Sequence, residues 1–257
     1  MIPEIESKGT SLDWRERIDM VIPVYNAPDL TRRCIESLYE HVSDYIGEVQ
    51  VHDDASNRAT ADMLDSLQWP GLRVHHAERN TGFGSSVNQA FARTRSPLVL
   101  VLNSDTEARD DFLAPLTAAM ASDSRLAAVI PAGNTFAGYD LSRYERRSGC
   151  VLTHSLSGYA FLMRRRAFEE IGGFDTGFGR GYYEDTDLSR RWIERGWWIG
   201  IHPDAHLHHE DHGSFRDVDD FRGLLTENRE RYLALHPGAR RNVLLATGDH
   251  DLDSVQR

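Results

Sequence analysis

The apolar run 97–102 constrains the fold more than any other segment: it holds no polar side chain and is cut off at once by Asn103, Ser104 and Asp105. A run of this kind belongs to a central strand covered on both faces, which is the habit of parallel sheets. The flanking sequence alternates in the matching way. Strands are expected over 20–25, 48–52, 72–76, 127–131, 158–163 and 197–201, and helices over 29–39, 61–67, 86–92, 166–171, 185–195 and 218–235. In the first helix Leu30, Cys34, Ile35 and Leu38 fall on one face. Strands that alternate with helices imply an α/β fold with a mostly parallel central sheet flanked by helices. The polar stretch that ends at Gly149 reads as a loop or insertion. No linker, repeat or low-complexity tract divides the chain. The expected organisation is an N-terminal extension over 1–17, a single domain over 18–236, and a tail over 237–257.

Composition narrows the class. The 257 residues are 40% hydrophobic, enough for a full core without staples. Cys34 and Cys150 are too few and too far apart for a disulfide framework or a thiolate metal site. A net charge of −11 argues against a broad nucleic-acid surface, which needs clustered positive charge. The first residues lack the apolar core of a signal peptide, and no apolar run is long enough to span a bilayer. The expected compartment is the cytoplasm.

In an open α/β sheet, ligands bind beyond the carboxyl ends of the strands. Three polar clusters fall at such ends: Pro23, Tyr25 and Asn26; Asp53, Asp54 and Ser56; and Asn103, Ser104 and Asp105. Each is also an ordinary turn or cap sequence, so only their joint placement points to a site. The first strand runs into a turn without glycine, which removes the usual dinucleotide cradle, and no phosphate-loop lysine motif exists. A divalent cation held in part by Asp105 is the natural substitute for meeting phosphate. His206, His208, His209 and His212 suggest a zinc hydrolase, but one extra residue separates His208 from the Asp211-His212 pair and breaks that pattern. Glu184, Asp185 and Asp187 open a helix, where acidic residues are also plain capping residues. As a base, Asp185 would need burial, expected against Trp192, Trp197 or Trp198, to offset the pKa-lowering helix end. The flanking glycines, Gly172, Gly173, Gly177, Gly179 and Gly181, would let the backbone close over a ligand.

Taken in order, Val21 to Asn26, Asp53 to Ser56, Asn80-x-Gly82 with Asn88, Asn103 to Asp105, Gly172 to Asp175 and Glu184-Asp185-x-Asp187 resemble the family 2 inverting glycosyltransferases of GT-A fold. The resemblance runs from about Ile18 to Ser214 and is nearest the rhamnosyltransferase-like and galactofuranosyltransferase-like members. It implies a Rossmann-like nucleotide-sugar half over 18–110 and an acceptor half over 111–236. Pro23, Tyr25, Asn26, Asp54, Gly82, Asn88, Asn103, Ser104 and Asp105 match donor-binding positions, with Tyr25 near the base and Asp54 hydrogen-bonded to it. Asn103 to Asp105 matches the family's DXD motif with Asn in first place, so the implied metal carboxylate is Asp105 alone. Asp185 matches the acceptor-activating base, with Glu184 beside it. Counting from Pro203, the implied metal histidine is His209, with His208 the nearest rival. The implied cofactor is Mn²⁺ or Mg²⁺. The implied partners are a UDP- or dTDP-linked sugar and a hydroxyl of a glycan, a lipid-linked or a small-molecule acceptor, as in polysaccharide biosynthesis. Peripheral contact with the inner face of the membrane fits such acceptors, and the polar insertion over 136–149 is a candidate for acceptor contacts. The rivals are a sugar nucleotidyltransferase, whose glycine-rich basic loop is missing, the zinc hydrolase, and a catalytically silent nucleotide-sugar-binding protein.

Overall fold

The computed structural model describes residues 17–210 and 221–239. Asp211, His212, residues 218–220 and nearly all of both terminal segments lie outside the described residues. The first half alternates as expected: β1 (Ile18–Val24), α1 (Pro28–His41), β2 (Ile46–Asp53), α2 (Arg58–Asp65), β3 (Leu72–His76), α3 (Phe83–Phe91) and β4 (Leu98–Leu102). Pro28 begins α1 at the one helical position where a missing N–H costs nothing. Asn57 caps α2 by accepting from the Thr60 N–H at 3.0 Å.

The second half carries β5 (Thr106–Glu107), α4 (Leu113–Ser122), β6 (Leu126–Ala132), β7 (Arg146–Arg147), β8 (Cys150–Thr153), β9 (Ala160–Arg164) and α5 (Arg165–Glu170). It ends with α6 (Glu184–Glu194), β10 (Trp198–His206), β11 (His208–His209) and α7 (Phe221–Leu235). The two-residue strands β5 and β11 were not expected, and neither were two larger features. One is α4, whose Leu113, Leu116, Ala119 and Met120 are buried; it is apolar and alanine-rich, so it shows no polar stripe. The other is the β7–β8 hairpin, which converts the end of the insertion into sheet.

Nine strands from both halves form one sheet in the order β3-β2-β1-β4-β9-β6-β10-β8-β7. Pairs β2–β3, β1–β2, β1–β4 and β6–β10 are parallel. Strands β9 and β8 run against their neighbours. Strands β1, β4 and β6 are almost wholly buried, as strands covered on both faces must be. The chain builds outward from β1 through β2 to β3, then returns to place β4 on the other side of β1. That reversal opens a crevice at the carboxyl ends of β1 and β4, where ligands bind in open α/β sheets. No helix among the described residues is long and apolar enough to cross a membrane.

Candidate active site

The crevice gathers the three polar clusters. At the end of β1, the Asn26 N–H donates to Ser56 Oγ at 2.8 Å, and Asn26 Oδ1 accepts from the Asn57 N–H at 2.9 Å. The turn after β1 is thereby tied to the turn after β2. Pro23 is half-buried in β1, and Tyr25, just beyond it, is exposed. Asp54 is buried, and both its oxygens are engaged by the next loop. Its Oδ1 accepts from the Thr81 N–H at 2.8 Å and the Thr81 hydroxyl at 3.0 Å, and its Oδ2 accepts from the Gly82 N–H at 2.8 Å. In this structure Asp54 therefore fixes the loop at the start of α3. Asn88 braces the same region. Its amide exchanges two hydrogen bonds of 2.9 Å with the backbone of Phe174.

Backbone strain collects at the same edge. Asn26, Ala27 and Ala55 hold φ of 60°, 55° and 60°, and Tyr182 and Tyr183, just before α6, hold 70° and 72°. Among the described residues, the one other non-glycine residue with positive φ is Ser148. Such conformations cost free energy and concentrate at functional sites.

Beyond β4, Ser104 and Asp105 are buried and Asn103 is half-buried. The Asp105 backbone oxygen accepts from the Glu210 N–H at 2.9 Å. Strand β11 pairs with β5, so that His209 stands opposite Thr106, next to Asp105. His209 Nε2 lies 3.2 Å from Asp105 Oδ1, a buried oxygen that makes no hydrogen bond. The pair is within ion-pair distance without forming a hydrogen bond. An imidazole nitrogen and a carboxylate oxygen so arranged fit a hard or borderline divalent cation, which takes one or two carboxylates and fills its other positions from substrate oxygens. Among the described residues no third carboxylate, histidine or cysteine completes a closed protein cage. His208 turns the other way, with its Nε2 3.4 Å from Glu210 Oε1.

The acidic start of α6 reaches the same edge through Gly158. Asp185 Oδ1 accepts from the Thr186 N–H at 2.7 Å. A Cβ at Gly158 would stand 3.6 Å from Asp185 Oδ2 and 3.9 Å from the Phe83 ring. Burial raises the pKa of Asp185 against the hydrogen bonds from Thr186 that lower it. Burial, and next the charge of Asp185, raises that of Glu184, whose Oε2 is buried without a partner. Desolvation thus prevails over the helix end. The three tryptophans have other contacts. The Trp192 indole N–H donates to Ala167 O, that of Trp197 to Glu170, and the Trp198 ring packs against the guanidinium groups of Arg125 and Arg147.

One short segment joins the two sides. Gly158 lies against Asp185; the next residue, Tyr159, accepts at its backbone oxygen from the Asn103 N–H at 2.7 Å and stacks its ring on His209 at 5.0 Å. The loop held by Asp54 leads through Gly82 to Phe83, which meets Gly158 as well. Asp54, Asp105, Asp185 and His209 are therefore linked around one edge of the sheet.

A profile of the family described as Glycosyl transferase family 2 matches residues 19–182. The chain belongs to glycosyl transferase family 2. A pre-mycofactocin glycosyltransferase of Mycobacterium tuberculosis is 28% identical over 219 residues, covering 78% of this chain and 44% of its own. An N-acetylglucosaminyl-diphospho-decaprenol L-rhamnosyltransferase of the same organism is 44% identical over 63 residues, which is 24% of this chain and 20% of its own. The chain thus spans less than half the length of these curated relatives. Among solved structures, a mannosyltransferase of Pyrobaculum calidifontis in complex with GDP-Man and Mn²⁺ superposes with a TM-score of 0.67 at 19% identity, over 86% of this chain and 64% of its own. GalNAc-T7 with UDP, GalNAc and Mn²⁺ gives a TM-score of 0.70 at 16% identity, over 85% and 48%. The fold of this family 2 chain is GT-A.

Two positions matter here that the motifs leave out, and others that the motifs include take on structural roles. Gly158 and Tyr159 carried no motif. Asp187 is buried between Arg191, at 2.6 Å, and His236, at 2.8 Å, so it ties α6 to the end of α7. The glycines of the 172–181 loop serve close packing as well as turning. A side chain at Gly173 would strike the Asn88 amide, and one at Gly177 the Arg231 guanidinium.

Proposed function

We propose that this chain transfers a sugar from a nucleoside diphosphate, UDP or dTDP, to an acceptor hydroxyl on a glycan, a lipid-linked or a small-molecule acceptor, with inversion. The observation that carries this reading is the placement of Asp185 on one side of the Gly158–Tyr159 segment and the Asp105–His209 pair on the other. Nucleotide-sugar and Mn²⁺ complexes of the structural neighbours support it.

In this reading Pro23, Tyr25, Asn26, Asn103 and Ser104 line the donor side. Asp54, through Thr81 and Gly82, holds the loop that borders it, and Asn88 braces that loop from behind. Asp105 and His209 hold Mn²⁺ or Mg²⁺, which when bound neutralises charge on the departing diphosphate. Asp185 accepts the acceptor hydroxyl proton as that oxygen forms its bond to the anomeric carbon. The bond to the diphosphate breaks on the opposite face, so the configuration inverts. Its raised pKa brings the base nearer to working pH than an exposed aspartate would be. Glu184, buried beside it, is pushed toward its neutral form by burial and by the charge of Asp185.

The test is the stereochemistry of the product. Proton NMR of the reaction, begun with a donor of known anomeric configuration, is expected to show the opposite anomer as the first product. A product with retained configuration would overturn the single displacement.

A further inference from the structure

The insertion that follows β6 begins with a turn in which Asn134 and Thr135 both reach His209. Asn134 Nδ2 donates to His209 O at 2.7 Å, and the His209 N–H donates back to Asn134 Oδ1 at 2.8 Å. These are the two bonds a neighbouring strand would supply. Strand β11 is only two residues long and pairs with β5 on its other side, so the Asn134 amide closes its open edge. Thr135 Oγ1 lies 3.4 Å from His209 Nδ1. The Tyr159 ring stacks on the imidazole at 24° between planes, and its hydroxyl donates to Ala132 O at 3.0 Å and to Pro131 O, just before the turn. A side chain at Gly133 would collide with Leu207 O, so the turn is pressed against the link between β10 and β11.

We propose that Asn134 and Thr135 are positioning residues for the cation site, Asn134 by fixing the backbone of His209 and Thr135 by holding its imidazole at Nδ1. The inference rests on the reading of Asp105 and His209 as cation ligands. A neutral imidazole carries one proton. Asp105 Oδ1, near Nε2, favours the tautomer protonated at Nε2, which cannot ligate. A hydroxyl both donates and accepts, so Thr135 Oγ1 holds the ring at Nδ1 in either tautomer, and it accepts from the Nδ1–H of the one whose Nε2 presents a lone pair toward Asp105. A partner of this kind on the far nitrogen of a ligating histidine is worth roughly 10–100-fold in metal affinity.

The experiment measures Mn²⁺ affinity of the 257-residue chain by the electron paramagnetic resonance of free Mn²⁺, and reads the imidazole nitrogens by nitrogen-15 NMR with and without Mg²⁺. Thr135→Val is expected to weaken Mn²⁺ binding about tenfold and to change the Nδ1 shift of His209 in the Mg²⁺-bound state, where that nitrogen carries the proton. Thr135→Ser, which restores the hydroxyl, should return both to the parent values. His209→Ala separates the two levels of the argument. If it binds Mn²⁺ like the parent, the cation reading falls and this inference with it. If it loses Mn²⁺ while Thr135→Val keeps the parent affinity and shifts, the cation reading stands and the positioning role is overturned.

Discussion

Asp185→Asn is expected to lower kcat by about a thousandfold, within the 10²–10⁴ range typical of a positioned general base, while donor affinity stays near that of the parent. The amide keeps the size of the carboxyl group and its place at the start of α6. It cannot take the proton of the attacking hydroxyl. In the proposed reading the donor is held by groups at the ends of β1 and β4, which this substitution does not touch. The parent enzyme should also show an acid limb in kcat/KM displaced above the ordinary carboxylate range, because burial raises the pKa of Asp185 and the active form has lost that proton. Transfer by Asp185→Asn within about tenfold of the parent rate would remove the base from this position.

Gly82→Ala is expected to destabilise the fold by at least about 3 kcal/mol, the upper end of the usual range for backbone strain. Gly82 holds φ 86° and ψ 169°, a region open in practice only to glycine. A methyl group there would also collide with the backbone of Gly179, part of a loop that α7 pins through Asn228. Neither side can yield cheaply, since Asp54 holds one loop and α7 the other. Gly172→Ala is the matched control. Its φ is 75°, but nothing lies within 4 Å of the added carbon, so only the left-handed penalty of about 1–2 kcal/mol applies. Urea unfolding compares the two. Equal losses would mean that the 80–82 and 177–181 loops do not pack as described.

The fold class was legible because a central strand such as β4 must be apolar throughout and its ends must turn polar. The same logic placed Asp54 and Asp105 at one edge before any coordinates. Helix α4 was not legible, since an alanine-rich helix buried on most sides has no period to read. The β7–β8 hairpin did carry a signal in Ser148-Gly149. Both residues have positive φ, at 51° and 82°, as tight hairpin turns require. That His209 rather than His208 faces Asp105 follows from the pairing of a two-residue strand, which turns neighbouring side chains to opposite faces. Local sequence holds no trace of that pairing. The same is true of Asn134 and Tyr159, which reach His209 only because β6, β9 and β10 lie side by side. Burial of Asp185 was foreseen as necessary but assigned to tryptophans, whereas the carboxylate lies against Gly158, far from it in sequence.

The central claim is that one edge of the sheet holds a nucleoside-diphosphate sugar through a cation shared by Asp105 and His209. Calorimetric titration with UDP-, dTDP- and GDP-sugars in Mn²⁺ tests it most directly, when repeated with chelator and with Asp105→Ala. The account predicts saturable binding of at least one donor in Mn²⁺, weakened at least about tenfold by chelator and by Asp105→Ala alike. Donor binding that is the same with and without chelator, or unchanged in Asp105→Ala, would contradict it.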